Sequence, residues 1–229
     1  MLRRKRFQQL ARIRVVGVGY GGITAVNSML DAEIAGVDYV TVDSSARDLE
    51  KSRAPHRVIA ERQRGRGTLK LPRRELQSAL RGSDMVFIVG GLGGSTCMEL
   101  IPLVASVARS EGALTTAIVT TPFSFEGLVR RQQAEQAITV LRGDVNTLVV
   151  IPNDRLLSMS GGRVAFHQTY ELAQRIWRQS VEGISELVNA PGLVNVDFAD
   201  VRTIMSSGGP SVISMGSANG PDRARRAAE

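Results

Sequence analysis

The chain has 229 residues, of which 43% are hydrophobic and 4% aromatic, with a formal net charge of +7. This length predicts one domain, or one and a part, with a sizeable core that needs no disulfides. The scarcity of aromatic residues argues against an RNA-binding protein that stacks bases on aromatic side chains. One cysteine and two histidines exclude an intrachain disulfide and a cysteine-built zinc site, so no protein-built metal site is predicted. Without a bilayer-spanning apolar run or a secretory signal, the sequence favours a cytoplasmic protein.

Basic residues are concentrated in two stretches, residues 1–12 and residues 57–74. Such runs can bind the phosphates of anionic lipid or nucleic acid. The simpler interpretation is a solvated arm and a solvated loop, so no specific nucleic-acid partner is expected. We expect residues 1–12 to form a basic N-terminal arm, of which residues 1–11 are mobile and dispensable for folding.

Short apolar strand patterns alternate with helical patterns along most of the chain. The predicted strands are Ile13–Val18, Val37–Val42, Met85–Val89, Leu114–Thr120 and Thr147–Ile151. The predicted helices are Ala25–Ala35, Arg73–Arg81, Pro102–Ser110, Glu126–Leu141 and a long one, Phe166–Asn189. This order predicts an α/β fold with a doubly wound, mostly parallel sheet and helices on both of its faces.

Two segments do not follow this alternation. Residues 51–72 are basic, contain two prolines and two glycines, and predict a mobile loop with one short strand at Val58–Ile59. Ser211–Met215 resembles a strand, followed by the start of a helix. Because no further strand follows, the chain is expected to stop just after a second domain has begun.

A glycine-rich turn follows the first predicted strand. Gly17, Gly19 and Gly22 form the pattern G-x-G-x-x-G, and Asp43 stands at the end of the next strand. This is the arrangement of a dinucleotide-binding fingerprint. However, glycine amides at a helix N-terminus bind any phosphate, so the turn is equally suited to a nucleoside triphosphate, or it binds nothing.

Further motifs favour the triphosphate. A second glycine-rich turn, Gly90–Thr96, follows the strand Met85–Val89, and two phosphate-facing turns suit a long polyphosphate. Three more segments have no place in a dehydrogenase fingerprint: Thr120–Gly127 (TTPFSFEG), Ile151–Asp154 (IPND) and Pro191–Met205. In their order and spacing, the five segments resemble the FtsZ branch of the tubulin/FtsZ family.

The resemblance implies a doubly wound GTPase domain, a long central helix and a smaller second domain. It divides the chain into residues 13–190, the nucleotide-binding domain, and residues 191–229, the catalytic-loop region and the start of a largely missing second domain. It also implies GTP or GDP as ligand, with Mg²⁺ as a candidate companion ion. Head-to-tail contact with itself or with an intact FtsZ, in cell division, is a further implication.

By the same resemblance, most of the nucleotide site can be assigned residue by residue. Phosphate contacts fall on Gly19, Gly21, Gly22, Gly93, Gly94, Ser95 and Thr96, and Asp43 matches a residue on the loop after the second strand and is counted with the nucleotide site. Contacts to the ribose and base fall on Glu126, Arg130, Asn153, Tyr170 and Gln174. For Glu126 and Arg130, the alternative from spacing alone is a surface ion pair.

The segment NVDFAD matches the family's catalytic loop. There Asn195, Asp197 and Asp200 correspond to residues that orient the attacking water against the γ-phosphate on a neighbouring subunit. The alternative is that Asp200 caps the helix that follows.

Several substitutions predict a degenerate pocket. Tyr20 adds bulk beside the first turn, and Glu99 adds a negative charge at the start of the helix after the second turn. Gln174 and Arg175 stand where the family carries a guanine-reading aspartate. We therefore expect weak GTP binding and weak or absent GTPase activity. The alternatives are a non-enzymatic paralogue or fragment that modulates an intact FtsZ, and a dinucleotide-binding Rossmann-type protein.

Overall fold

A computed structural model describes residues 10–65, 67–159, 166–189, 196–206, 216 and 218–228. Its centre is a six-stranded parallel sheet in the order β3-β2-β1-β6-β7-β8. The strands of this sheet are β1 (Ile13–Val18), β2 (Val37–Asp43), β3 (His56–Ile59), β6 (Met85–Gly91), β7 (Leu114–Thr121) and β8 (Thr147–Pro152). Between β3 and β6, a two-stranded antiparallel hairpin pairs β4 (Glu61–Arg62) with β5 (Leu69–Lys70). The predicted parallel sheet is confirmed.

Helices connect the strands. Before β6 they are α1 (Gly19–Asp31), α2 (Ala46–Leu49) and α3 (Arg73–Leu80). After β6 come α4 (Ser95–Ser110), a 3₁₀ turn at Ser124–Glu126, α5 (Leu128–Asp144), α6 (Asn153–Met159) and α7 (Phe166–Asn189). The last two described helices are α8 (Phe198–Ser206) and α9 (Arg223–Ala228). The long helix α7 has the predicted bounds.

Apolar side chains cover both faces of the sheet, because successive residues of a strand point to opposite sides. On one face, Val16 and Ile88 belong to a buried cluster that includes residues of α3, α4 and α5. On the other, Val15 and Phe87 belong to a cluster that includes residues of α1 and α7. The strands therefore read as continuous apolar runs, which is typical of a parallel sheet buried on both faces.

Two helices begin earlier than the sequence predicted. Helix α1 begins at Gly19 and not at Ala25, because the glycine-rich turn itself forms the first helical turn. Helix α4 begins at Ser95 and contains Pro102, which the prediction took as the helix start. Leu100 and Ile101 are fully buried beside this proline, and their packing holds the helix through it.

The segment 51–72 is not the predicted loop. It supplies the edge strand β3 and the hairpin β4–β5. Val58, Ala60, Leu69 and Leu71 are buried, whereas Arg62 and Arg64 are exposed. The apolar positions anchor the segment to the domain, so the prediction of a loop was wrong, whereas the short strand predicted at Val58–Ile59 lies within β3 and is confirmed.

The first described residues are docked rather than loose. Ala11 is buried, and its backbone N–H donates to Asn189 Oδ1 at 2.9 Å, while Asn189 Nδ2 donates to Ala11 O at 3.2 Å. This pair ties the end of α7 to the start of β1. Residues 1–9 and the predicted strand Ser211–Met215 lie outside the described residues. Within the described ranges, no helix combines the length and the apolar character needed to cross a membrane.

Candidate nucleotide site

A cavity of about 790 Å³ lies at the carboxyl ends of the parallel strands. The chain proceeds outward from β1 in one direction and from β6 in the other, so the gap between them is the switch point of the sheet. Open α/β sheets bind ligands at this point. Eleven of the predicted nucleotide-contacting residues line the cavity: Gly19, Gly21, Asp43, Gly93, Gly94, Thr96, Glu126, Arg130, Asn153, Tyr170 and Gln174.

The first glycine-rich turn forms one wall of the cavity. Gly19 has φ +71°, a conformation that favours glycine, and it lies over Cys97. Gly22 does not line the cavity, because it packs against the backbone of β1 and β6, and an added Cβ there would lie 2.7 Å from Val89 O. Gly22 therefore lets α1 approach the sheet, while Gly19 and Gly21 face the ligand space.

The second glycine-rich turn leads into α4. Gly94 is the N-cap of this 16-residue helix and provides no side-chain hydrogen bond to its first turn. A Cβ added to Gly94 would meet no atom within 4 Å, so the space in front of the helix start is open. Thr96 lines the cavity, whereas the neighbouring Ser95 does not. Uncapped amides at a helix N-terminus, facing an open cavity, suit an anion.

Asp43 contributes a carboxylate at the phosphate end. Its Oδ1 accepts hydrogen bonds from the backbone N–H groups of Ser44 at 2.6 Å and Ser45 at 3.0 Å. Burial raises the pKa of this carboxyl, against the opposing effect of the two backbone hydrogen bonds. The hydroxyls of Ser44 and Thr96 lie 3.3 Å apart beside it. The Asp43 carboxylate and the two hydroxyls therefore place several oxygen atoms at the end of the cavity where the terminal phosphate of a triphosphate would lie.

Glu126 and Arg130 form both the predicted ligand pair and the alternative ion pair. Arg130 Nη1 lies 2.7 Å from Glu126 Oε2, and both residues line the cavity. Glu126 Oε1 also accepts from the N–H of Phe123 at 2.9 Å. The pair therefore orders the turn after β7 and presents charged atoms to the ligand space.

The opposite end of the cavity contains a buried polar atom for which the described residues supply no hydrogen-bond partner. Asn153 is 5% exposed, and its Oδ1 accepts no hydrogen bond from the described residues. Tyr170 packs edge-to-face on Phe123 with ring centres 5.7 Å apart, and burial raises the pKa of its hydroxyl. This end is partly aromatic and suits a planar base.

Sequence reasoning missed Trp177. It lines the cavity at 3% exposure, and its indole N–H has no acceptor among the described residues. The signal was present, because Tyr170, Gln174 and Trp177 follow one another at helical spacing and share one face of α7.

Comparison with known proteins decides the family. The model of the tubulin/FtsZ family GTPase domain matches residues 12–161. The chain belongs to the tubulin/FtsZ family. Of the solved structures, an FtsZ dimer from M. jannaschii, described as empty, superposes with a TM-score of 0.87 at 33% identity, over 96% of this chain and 68% of that one.

Two CetZ proteins share the fold. CetZ2 from Haloferax volcanii, a protofilament with bound GTPγS, has a TM-score of 0.72 at 19% identity, over 87% of this chain and 64% of that chain. CetZ1 from Haloferax volcanii, a monomer with bound GDP, gives 0.71 at 20% identity, over 87% and 66%. The resemblance to the FtsZ family and the fold that it implied are confirmed.

One departure from the FtsZ pattern, Glu99, lies elsewhere than expected. Glu99 does not line the cavity, because its Oε2 accepts from the N–H of Leu69 in β5 at 2.7 Å. The predicted negative charge at the phosphates is therefore wrong. Cys97 lies beneath Gly19 and donates its thiol to Val18 O at 3.3 Å. Burial raises the pKa of Cys97 to about 12, so the thiol stays neutral.

The acidic loop, which is the part of the catalytic-loop match that contains Asp197 and Asp200, lies far from the cavity of its own chain. Arg202 on α8 donates to Asp84 O at 3.0 Å and Gly112 O at 3.2 Å, and these carbonyls precede β6 and β7. Asp197 and Asp200, at the start of α8, therefore lie toward the amino ends of the strands, and the cavity is at the carboxyl ends. The seven residues of β6 alone span about 23 Å.

The helix cap is also not the one predicted. Asp197 Oδ1 accepts from the N–H of Ala199 at 3.1 Å, so Asp197 caps α8 and Asp200 stands exposed in its first turn. Asn195 lies outside the described residues. In the described part of the chain, no group of three His, Cys, Asp or Glu side chains could hold a metal ion.

Proposed function

We propose that this chain is a cytoplasmic, GTP-binding protein of the FtsZ type that forms or modulates filaments in cell division. The observation that supports this most is the cavity at the switch point. Two glycine-rich turns and the uncapped start of α4 supply backbone amides at one end, and Asn153 with Tyr170 supplies a base-sized surface at the other. A nucleoside triphosphate, with its phosphates at one end and its base at the other, matches this arrangement.

Weak affinity and poor guanine selectivity follow from the base end. A carboxylate accepts both the N1 and the N2 hydrogens of guanine, whereas the amide of Gln174 has one acceptor oxygen. Arg175 has none, and it does not line the cavity. We propose that GTP and ATP bind with similar, low affinity.

Mg²⁺ fits the phosphate end as a companion of the nucleotide. Asp43 and the hydroxyls of Ser44 and Thr96 are the oxygen ligands that Mg²⁺ prefers. Because protein ligands are few, phosphate oxygens would supply the rest. The ion would offset the repulsion between the Asp43 carboxylate and the phosphates.

Hydrolysis, where it occurs, would take place between subunits. Asp197 and Asp200 cannot reach the cavity of their own chain, so they would orient water against a nucleotide held by the next subunit. The rim of the cavity offers a surface for that contact. Phe125, Leu128 and Val129 expose 59%, 75% and 67% of their areas beside Glu126 and Arg130.

The test of nucleotide binding uses Trp177, which is the single tryptophan of the chain. GTP, GDP, ATP and NAD are titrated while its fluorescence is followed, with calorimetry as a second readout. Gly94→Asp is the diagnostic variant, because the side chain has room and places a negative charge before α4. Gly94→Ala is the matched control.

Binding of GTP to the wild type and to Gly94→Ala, with loss in Gly94→Asp, is the expected result. Absence of nucleotide binding, preference for NAD, or unchanged binding in Gly94→Asp would overturn the proposal.

A second candidate function is modulation of an intact FtsZ without hydrolysis of its own. Asp197 and Asp200 are exposed at the start of α8, while the end of the nucleotide cavity that would hold the base has no guanine-reading carboxylate. This contrast favours the second candidate. Substoichiometric chain is added to polymerising FtsZ from the same cell, and light scattering and phosphate release are followed. No change in either measurement excludes this candidate.

A further inference from the structure

A second cavity, of about 810 Å³, lies between the β4–β5 hairpin and the start of α3. It shares no lining residue with the nucleotide cavity. The apolar residues of its wall are Ile59, Leu69, Leu71, Pro72 and Leu103. Leu69 and Leu71 are buried, whereas Ile59 is 40% exposed and presents an apolar surface to a ligand. We call this cavity the hairpin groove.

The charged residues of the hairpin groove do not cancel. Glu61 stands directly opposite Lys70 in the hairpin register, so these two charges offset each other. Glu75 lies in the first turn of α3, where the helix dipole stabilises a negative charge. The lining therefore carries three basic residues, Lys70, Arg73 and Arg74, against two acidic ones, so the excess charge of the groove is positive.

The two arginines make few contacts of their own. Arg73 Nη2 donates to Ser106 Oγ at a long 3.4 Å. No ion pair joins Arg73 or Arg74 to another residue in the ranges that the structure describes. From residue 57 to residue 75 the chain carries seven basic and two acidic residues, so the surroundings strengthen the positive potential.

We propose that the hairpin groove docks an acidic peptide of a partner protein. The guanidinium groups of Arg73 and Arg74 match the fork geometry of carboxylates. The apolar wall takes one or two aliphatic side chains of the same peptide. A groove of this volume with an apolar wall suits a peptide better than a phosphate backbone, which is bound by open cationic surfaces.

The chain's own basic start is not the occupant. Residues 1–12 contain five basic and no acidic residues, so they would be repelled by Arg73 and Arg74. The proposed occupant is therefore an acidic segment of a partner protein, and its site shares no lining residue with the nucleotide cavity.

The probe for this site is a fluorescent peptide in which glutamate alternates with leucine, and binding is followed by anisotropy on the full chain. The comparison peptides replace glutamate by lysine or leucine by serine. The test variant is Arg73→Glu/Arg74→Glu, and Arg131→Glu/Arg142→Glu on α5 is the control with the same change of charge. Arg73→Gln/Arg74→Gln removes the charges without reversing them.

The wild type and the α5 control should bind the glutamate–leucine peptide, and both groove variants should lose about tenfold or more in affinity, as two exposed charge contacts predict. Circular dichroism melts establish that the variants fold. Four outcomes would overturn the proposal: no binding to the wild type, equal loss in the α5 control, equal binding of the serine peptide, or tighter binding of phosphatidylserine vesicles or an oligonucleotide through Arg73 and Arg74.

Discussion

The ammonium nitrogen of Lys51 lies 4.8 Å from the centre of the Tyr20 ring, and Asp48 holds the same ammonium at 2.7 Å. Tyr20 and Asp48 both line the phosphate end of the nucleotide cavity. A cation that could neutralise phosphates is thus held on a tyrosine and a carboxylate. The Tyr20 ring, which the sequence predicted to add bulk beside the first glycine-rich turn, is therefore part of this contact.

Replacing Tyr20 by alanine should therefore strengthen triphosphate binding. The ring no longer narrows the phosphate end, and Lys51 loses a cation–π contact worth about 0.5–1 kcal/mol at an exposed site. We expect a gain of roughly three- to fivefold in GTP affinity, measured by calorimetry. Lys51→Met keeps the ring but removes the cation, and it should give no gain. Unchanged or weaker binding by Tyr20→Ala would show that the ring supports the ligand.

Glu99 should matter for stability and not for nucleotide affinity. Its carboxylate accepts the hydrogen bond of the Leu69 N–H and points away from the cavity. Glu99→Ala leaves that N–H without its partner and should cost about 1–3 kcal/mol, seen as a lower midpoint in urea. Glu99→Gln keeps an acceptor oxygen and should retain most of the stability. A clear gain in GTP affinity in both variants would restore the electrostatic interpretation that the structure contradicts.

The acid Asp43 should make triphosphate binding dependent on pH and Mg²⁺. Burial raises its pKa, so the folded state binds its proton more tightly than the unfolded state does. Its contribution to stability therefore falls as pH rises from the ordinary aspartate pKa through the raised value. Over the same range the carboxylate becomes charged and repels phosphate. GTP binding without Mg²⁺ should weaken as pH rises, and Mg²⁺ should largely restore it.

Asp43→Asn is the matched variant, because its amide oxygen still accepts from the N–H groups of Ser44 and Ser45. It should bind GTP with less dependence on both pH and Mg²⁺, as measured by titrations at several pH values. An identical pH profile in the variant would assign the titration to another group.

The sequence predicted the fold well where local patterns and tertiary packing agree. β1 and α7 have the predicted bounds, since one is a buried apolar run after a polar start and the other a long amphipathic stretch. The strand β3 was underestimated, because only two of its four residues, Val58 and Ile59, are apolar, and because its pairing with β2 depends on the tertiary fold. Long-range pairing of this kind leaves only a weak local signal.

The site was predicted most directly where a motif fixes both the residue and its direction. The glycine-rich turns placed Gly19, Gly21 and Gly94 at the cavity because backbone geometry fixes them. The side chain of Glu99 was misplaced, since its direction depends on the hairpin, which no motif announced. Trp177 was missed for a related reason, because an aromatic residue on a helix face usually belongs to the core.

The separation of the cavity from Asp197 and Asp200 makes hydrolysis a property of contacts between subunits. One variant, Asp197→Asn/Asp200→Asn, keeps an intact cavity, and asparagine still caps α8. The other, Gly94→Asp, keeps an intact acidic loop. Each alone should release little phosphate. In an equal mixture, about a quarter of head-to-tail contacts join an intact cavity to an intact loop, so activity should reappear at about a quarter of the wild-type rate.

The control is a mixture of Gly94→Ala with Asp197→Asn/Asp200→Asn, because Gly94→Ala has both an intact cavity and an intact acidic loop. It should give a higher rate than the Gly94→Asp mixture at the same total concentration. The dependence on total concentration is the second readout, because contacts between subunits form by association and a site within one chain does not require it. If the two inactive variants stay inactive when mixed, while the wild type hydrolyses GTP at a rate per chain that is independent of concentration, the carboxylates do not act across subunits. Catalysis would then depend on groups that line the cavity itself, whose carboxylates are those of Asp43, Asp48, Glu126 and Glu171.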